Sequence, residues 1–261
     1  MDDPIPKKQL KELLAAQYPK YTKDQIEAFI ACRQVIIAGE TCTDLAVSYP
    51  ADSKVEIVVK RYVSRGGLKL EYALHYWDID PTGLVMLDAG ASTGGFTDCL
   101  LQHGASTVHA VDVGYNQLDY KLRVDNRVVV HERTNIMHVT ALEPQPMAAV
   151  ADLSFRSITG AAQHILSLTR DAWMISLIKP QFEVAKGKAG FSGVILDDQL
   201  LFDVILDVYH LLQEENVGIA GIVQSPIVGR KGNREFLALL RYKEQLPLSK
   251  FTSTLRSIIL P

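Results

Sequence analysis

The sequence predicts an α/β protein, a parallel, doubly wound sheet preceded by a small α+β module in residues 1–60. Three observations carry that reading. Apolar strand-like runs alternate with helical patterns from residue 61 onward, the signature of a parallel sheet covered on both faces. One of those runs ends in an acid and passes directly into a glycine-rich turn at residues 85–97, VMLDAGASTGGFT. A chain of 261 residues with 48% hydrophobic content can bury one large core and still carry a small extra domain.

In the module, Leu10, Leu13 and Leu14 share one helical face, and Ile26, Phe29, Ile30 and Arg33 have the spacing of a second helix. Thr22 with Gln25 three places on resembles a capping box for it. Val35-Ile36-Ile37, the Ala38-Gly39-Glu40 turn and the run 55–59 read as short strands. The loop-rich stretch SYPADS, residues 48–53, marks the approach to the module's end. Beyond it, Leu70, Ala73, Leu74 and Trp77 line one face of a helix over 68–77, which Asp80-Pro81 stops. Strands are expected at 85–87, 108–111, 128–130, 148–151, 173–178, 218–223 and 236–240, with helical patterns between most of them. No internal repeat or low-complexity tract interrupts the alternation.

The glycine turn is the first chemical signal. Glycine lets backbone approach a ligand closely, and the free N–H groups of the following helix start favour negative charge. A dinucleotide fingerprint needs a glycine where this chain has Ser92, so Gly90-Ala-Ser-Thr-Gly-Gly95 suits the amino-acid end of S-adenosylmethionine better than a pyrophosphate. The next strand ends at Asp112, about 20 residues beyond the first glycine, where a carboxylate can accept both ribose hydroxyls. The cofactor-binding candidates at this turn and the next strand end are Asp88, Gly90, Ser92, Thr93, Gly94, Gly95, Phe96, Thr97 and Asp112.

Four ionisable residues stand where a plain core pattern does not place them: Lys69, Asp152, Lys179 and Glu235. Asp152 and Lys179 each end an apolar strand, which brings them to the sheet edge that carries Asp88. A lysine partly withdrawn from water can take a proton from a hydroxyl, and carboxylates can position it. The plainer alternatives are a solvated loop for Asp152 and Lys179, a surface helix position for Lys69, and a surface ion pair with Arg234 or Lys231 for Glu235.

Composition bounds the partners. The net charge of −3 excludes an overall basic field, so a nucleic-acid partner must be met locally. Local basic groups exist: Arg61 and Arg65 beside Lys69, Lys186 and Lys188 beyond Lys179, and Arg230, Lys231 and Arg234 before Glu235. Cys32, Cys42 and Cys99 lack the pairing of a zinc or redox site and read as buried thiols of a reducing cytoplasm. The seven histidines never recur at i, i+4, so no metal is expected. No leader pattern and no apolar run near the ~20 residues of a membrane span is visible, which predicts a soluble, unexported protein.

Residues 61–70 (RYVSRGGLKL), 88–100 (DAGASTGGFTDCL), 111–119 (VDVGYNQLD), 132–135 (ERTN), 152–155 (DLSF), 179–183 (KPQFE) and 232–236 (GNREF) together resemble the TlyA family. The resemblance covers nearly everything from Arg61 to about Arg241. It implies a Rossmann-like, S-adenosylmethionine-dependent methyltransferase of the FtsJ-like type in residues 61–261, acting on the 2′-hydroxyl of cytidines in ribosomal RNA or ribosomal subunits. The Lys-Asp-Lys-Glu tetrad of such enzymes maps onto Lys69, Asp152, Lys179 and Glu235. Lys179 would activate or orient the hydroxyl, Lys69 and Glu235 would hold the ribose and its phosphate neighbourhood, Asp152 would position the lysine and the donor, and Val113 and Asn135 would join Asp152 among the cofactor-binding residues.

Residues 1–60 are similar to the S4-like RNA-binding domain of that family. This chain has Thr22-Lys23 where Ser-Arg is usual, Arg33 in place of a helix-ending glycine, and eight basic against nine acidic residues. Lys7, Lys8, Lys23 and Arg33 are its RNA-binding candidates. Arg156 stands where relatives carry an apolar residue. Two other classes compete with the enzyme: a cytolysin, after the hemolysin label that family members bear, and a non-catalytic RNA-binding relative.

Overall fold

The computed structural model describes residues 6–23, 26, 29–30, 35–57, 61–154, 156–184, 193–229 and 232–260. The chain forms two compact units, Met1–Arg61 and Tyr62–Pro261.

In the first unit β1 (Lys7–Gln9) leads into α1 (Leu10–Gln17), which buries Leu10, Leu13 and Leu14. The strands β2 (Val35–Ile37), β3 (Glu40–Cys42) and β5 (Val55–Ile57) form an antiparallel sheet in the order β3-β2-β5. Positive φ at Ala38 and Gly39 turns β2 into β3 in a two-residue hairpin. The stretch read as loop after residue 47 holds a strand, β4 (Ser48–Pro50), paired antiparallel with β1. Two extended tripeptides with no apolar alternation leave no signal in sequence. Gln25, Cys32 and Arg33 lie outside the described residues.

The second unit is built on seven strands: β6 (Val85–Ala89), β7 (Thr107–Val111), β8 (Val128–His131), β9 (Ala148–Ala151), β10 (Trp173–Ile178), β11 (Val217–Gln224) and β12 (Phe236–Tyr242). Their order is β11-β12-β10-β9-β6-β7-β8. Helices α2 (Gly66–Tyr76) and α3 (Gly95–Gln102) pack on one face, where Leu70, Leu74, Phe96 and Leu100 meet Met86, Val108 and Ile175. Helices α5 (Ala162–Ser167), α7 (Asp198–Glu214) and α8 (Leu248–Ile259) cover the other, where Ile165, Ile205 and Phe251 meet Leu87, Ala149 and Met174. The short α4 (Tyr120–Arg123) and α6 (Pro180–Glu183) complete the unit. Both faces of the central strands are dry, which is why they read as continuous apolar runs. Truncating a fully buried side chain such as Met86 or Leu100 to alanine should cost ~2–5 kcal/mol.

The sheet is parallel and doubly wound as expected except at one strand. β12 runs antiparallel to both β10 and β11, because no helix separates β11 from β12 and the chain returns through residues 225–235. That reversal matters for the site. Ile178 pairs with Phe236, so Lys179, leaving β10, and Glu235, entering β12, lie at the same sheet edge. Ala89 pairs with Ala151 in parallel register, which brings Asp152 and Gly90 to that edge too.

Candidate active site

The carboxyl edge of the sheet opens into a cavity of about 630 Å³ whose lining includes Lys69, Asp88, Asp152, Lys179 and Glu235. Backbone geometry builds the turn at its floor. Gly90 has φ +87°, and a Cβ there would lie 2.8 Å from the Asp152 carbonyl oxygen, so only glycine lets the two strand ends approach this closely. Gly94, at φ +91°, caps α3, and a Cβ on it would drive into Leu122. Gly90, Ser92, Thr93, Gly95 and Phe96 line the cavity as expected of a donor turn. Gly94 and Thr97 support it from behind, and Asp112, Val113 and Asn135 are not among the lining residues.

Asp112 is committed to the turn itself. Its Oδ2 accepts from Ser92 N at 2.8 Å and its Oδ1 from Gly114 N at 2.6 Å, leaving the remaining lone pairs for a ligand hydroxyl. Asn135 caps a short 3₁₀ helix, its side chain accepting from Met137 N at 3.0 Å. Val113 is exposed.

Asp88 is fully buried, and Thr97 Oγ1 donates to its Oδ2 at 2.7 Å. Its Oδ1 is buried with no hydrogen-bond partner among the described residues. Burial pushes this carboxyl up to about 7, and the neighbouring Asp152 and Asp112 charges add to the rise against the Thr97 hydrogen bond. The carbonyl oxygen Oε1 of Gln181, another lining residue, is likewise buried without a partner among the described residues. A cavity that offers a buried carboxylate and an unengaged acceptor beside a glycine turn is built for a polar, cationic ligand.

Two lysine–carboxylate pairs face this cavity. Lys179 Nζ lies 2.6 Å from Asp152 Oδ1 and donates to Ser154 Oγ at 2.9 Å. Lys69 is paired with Glu235, and the two residues are only 8% and 4% exposed. The surface alternatives entertained for Lys69 and Glu235 therefore fail: both are buried, and Glu235 pairs with Lys69 rather than Arg234. Arg234 pairs with Asp198 at 2.6 Å instead. Glu183 accepts from Ile158 N at 3.0 Å and from Ser157 Oγ, fastening the segment after β10 to the one after β9.

Sequence reasoning missed three contributors. Ser154 and Gln181 sit inside the 152–155 and 179–183 blocks and share their exposure to the cavity. Asn233 holds the segment before α7, accepting from Ile195 N at 3.0 Å and donating to Gly193 O at 2.8 Å. Of the basic candidates, Arg65 lines the cavity, and Lys7, Lys8 and Lys23 are exposed in the first unit. Arg156 is exposed and donates to Gly160 O at 3.1 Å. Lys186, Lys188, Arg230 and Lys231 lie outside the described residues, as does Arg33. Cys42 and Cys99 are buried and form no disulfide among the described residues.

A seven-stranded sheet with one reversed strand, a glycine turn at its carboxyl edge and lysine–carboxylate pairs beside it defines a methyltransferase-type α/β domain. The FtsJ-like methyltransferase family model matches residues 62–242, and the chain belongs to that family. The 16S/23S rRNA (cytidine-2′-O)-methyltransferase TlyA of Mycobacterium tuberculosis is 40% identical over 234 residues, 87% of each chain. YqxC of Bacillus subtilis, named as an rRNA methyltransferase, is 44% identical over 188 residues, 70% of this chain and 66% of that protein. A solved structure from Streptococcus thermophilus, named as a hemolysin, superposes with a TM-score of 0.71 at 32% identity, covering 98% of this chain and 95% of the other.

Proposed function

We propose that this protein transfers a methyl group from S-adenosylmethionine to the 2′-hydroxyl of a cytidine ribose in ribosomal RNA. The observation that carries the reading is the convergence of Lys179, paired with Asp152, and Lys69, paired with Glu235, on the cavity floored by the glycine turn. Names of relatives at 40% and 44% identity support ribosomal RNA as the substrate, and the first of them supports cytidine.

When bound, S-adenosylmethionine supplies a sulfonium-activated methyl carbon open to direct displacement. Asp88 and Gln181 offer acceptors for the donor's polar end, and Asp112 steadies Ser92 and Gly114 where the donor ribose would sit. Lys179 orients the acceptor hydroxyl and shares its proton as the new oxygen–carbon bond forms, while Asp152 and Ser154 fix the position of Nζ. Lys69 and Glu235 hold the acceptor ribose and its phosphate neighbourhood. Most of the rate gain in this arrangement comes from holding two reactants in line. The 2′-hydroxyl is also the group by which a protein tells RNA from DNA.

The first unit serves in this reading as an S4-like module that recruits RNA through Lys7, Lys8 and Lys23, with Arg61 and Arg65 near the join. No helix among the described residues is long and apolar enough to cross a membrane, so nothing in the described helices favours the cytolysin alternative. The proposal is tested by incubating purified protein with radiolabelled donor and ribosomal subunits. Label in RNA that depends on Lys179 supports it, and the absence of transfer to subunits and to free RNA overturns it.

A further inference from the structure

On the α2–α3 side of the sheet, Glu71, His75 and His103 each present a ligand atom, and these three atoms lie within 4.8 Å of one another. None of the three lines the donor cavity. We propose that they form a binding site for a zinc-class transition-metal ion, clamping α2 to the C-terminal end of α3. The donor set is one carboxylate oxygen and two imidazoles, a combination that suits zinc and its neighbours and not magnesium or calcium.

Geometry supports the assignment in three ways. Glu71 and His75 are one helical turn apart on α2, with Nε2 of His75 3.9 Å from Oε1 of Glu71. His103, at the C-cap of α3, places Nδ1 2.8 Å from the Cys99 carbonyl oxygen. That contact calls for a proton on Nδ1, which leaves Nε2 as the lone-pair donor, and a backbone carbonyl behind the ring is the usual outer support of a metal-binding histidine. The two imidazoles stand 5.9 Å apart, centroid to centroid, at 72°, so neither ring blocks the space between them.

Bonds of ~2.0–2.2 Å in a tetrahedral zinc site put ligand atoms roughly 3.4 Å apart, so the cluster must tighten by about an ångström. The His75 side chain, 71% exposed, can swing to supply that movement, while Glu71 is buried and His103 is anchored at its backbone contact. A remaining position would be filled by water. The sequence reading expected no metal because it sought two histidines four apart. The spacing present is Glu71-x-x-x-His75, completed by His103 from a different helix.

The experiment uses the full chain, freed of metal by chelator and kept reduced, titrated with zinc(II) alone by calorimetry, with cobalt(II) as a spectroscopic probe. The site predicts one zinc per chain, d–d absorption of low-coordinate cobalt(II), and a melting temperature raised by saturating zinc. His75→Ala/His103→Ala, at positions that are not fully buried, should bind zinc at least about tenfold more weakly and lose the zinc-dependent rise in melting temperature. Exposed His210→Ala should change neither. Zinc binding of equal strength in the double variant, as thiol capture would give, overturns the proposal, and so does magnesium displacing zinc at comparable concentration. Failure here leaves methyl transfer untouched, because the three ligands lie outside the donor cavity.

Discussion

Replacing Asp88 by asparagine keeps the shape of the cavity floor and removes one buried charge. In the folded chain this carboxyl is pushed from 3.8 to about 7, chiefly by burial. The folded state therefore holds the proton more tightly than the unfolded state. Stability contributed by this group is complete below pH 3.8, is lost as pH rises toward 7, and falls no further above it. At about 1.4 kcal/mol per pH unit, the loss reaches the order of 4 kcal/mol by pH 8. Asp88→Asn escapes that loss while still accepting the Thr97 hydroxyl, so the donor-free variant should be more stable than wild type at pH 8 and nearly equal to it at pH 4. Buried His109 and half-buried His131, held below the ordinary histidine value chiefly by desolvation, produce the opposite trend below about pH 6.5. They are common to both proteins and cancel in the difference. The assay is urea unfolding of both proteins at pH 5 and pH 8. A difference between them that stays constant from pH 5 to pH 8 would refute the reasoning. Donor affinity should move the other way, weakening by roughly 10- to 150-fold, since a hydrogen bond to a charged group is worth ~1.5–3 kcal/mol.

Lys179→Ala should lower methyl transfer by at least ~10²-fold with donor affinity close to wild type in calorimetry, and loss of donor binding would assign the lysine to another site. Lys69→Met leaves Glu235 buried and uncompensated and should cost ~3–5 kcal/mol in urea unfolding, most of it recovered in Lys69→Met/Glu235→Gln. Asp112→Ala frees the Ser92 and Gly114 amides and should weaken donor binding by ~1.5–3 kcal/mol, whereas unchanged affinity would remove Asp112 from the site. Deleting residues 1–60 should leave donor binding intact and sharply reduce methylation of subunits, with a salt dependence shallower than that of the full chain. A truncation that methylates at the full-length rate would show that the module does not recruit RNA.

All seven strands of the large sheet were legible because strands buried on both faces write themselves as apolar runs. The orientation of the last was not. Residues 236–240 read the same in either direction, and the reversal follows from a connection without a helix. This bears directly on the site, because a parallel β12 would start at the far edge of the sheet and carry Glu235 away from Lys69. Asp152 and Lys179 could be placed by strand ends alone. The commitment of Asp112 to two backbone amides, and of Asn233 to the segment at 193–195, could not, since such bonds depend on loop conformation. β1 and β4 escaped notice because three exposed or half-buried residues each carry no period.

The central claim is most directly tested by nuclease digestion and mass mapping of ribosomal RNA after incubation of unmethylated subunits with purified protein and S-adenosylmethionine. The predicted result is a new methyl group on the ribose of a cytidine, absent when Lys179→Ala replaces the wild type. A methyl group on a base, or none on any RNA while the donor is demonstrably bound, would contradict the account.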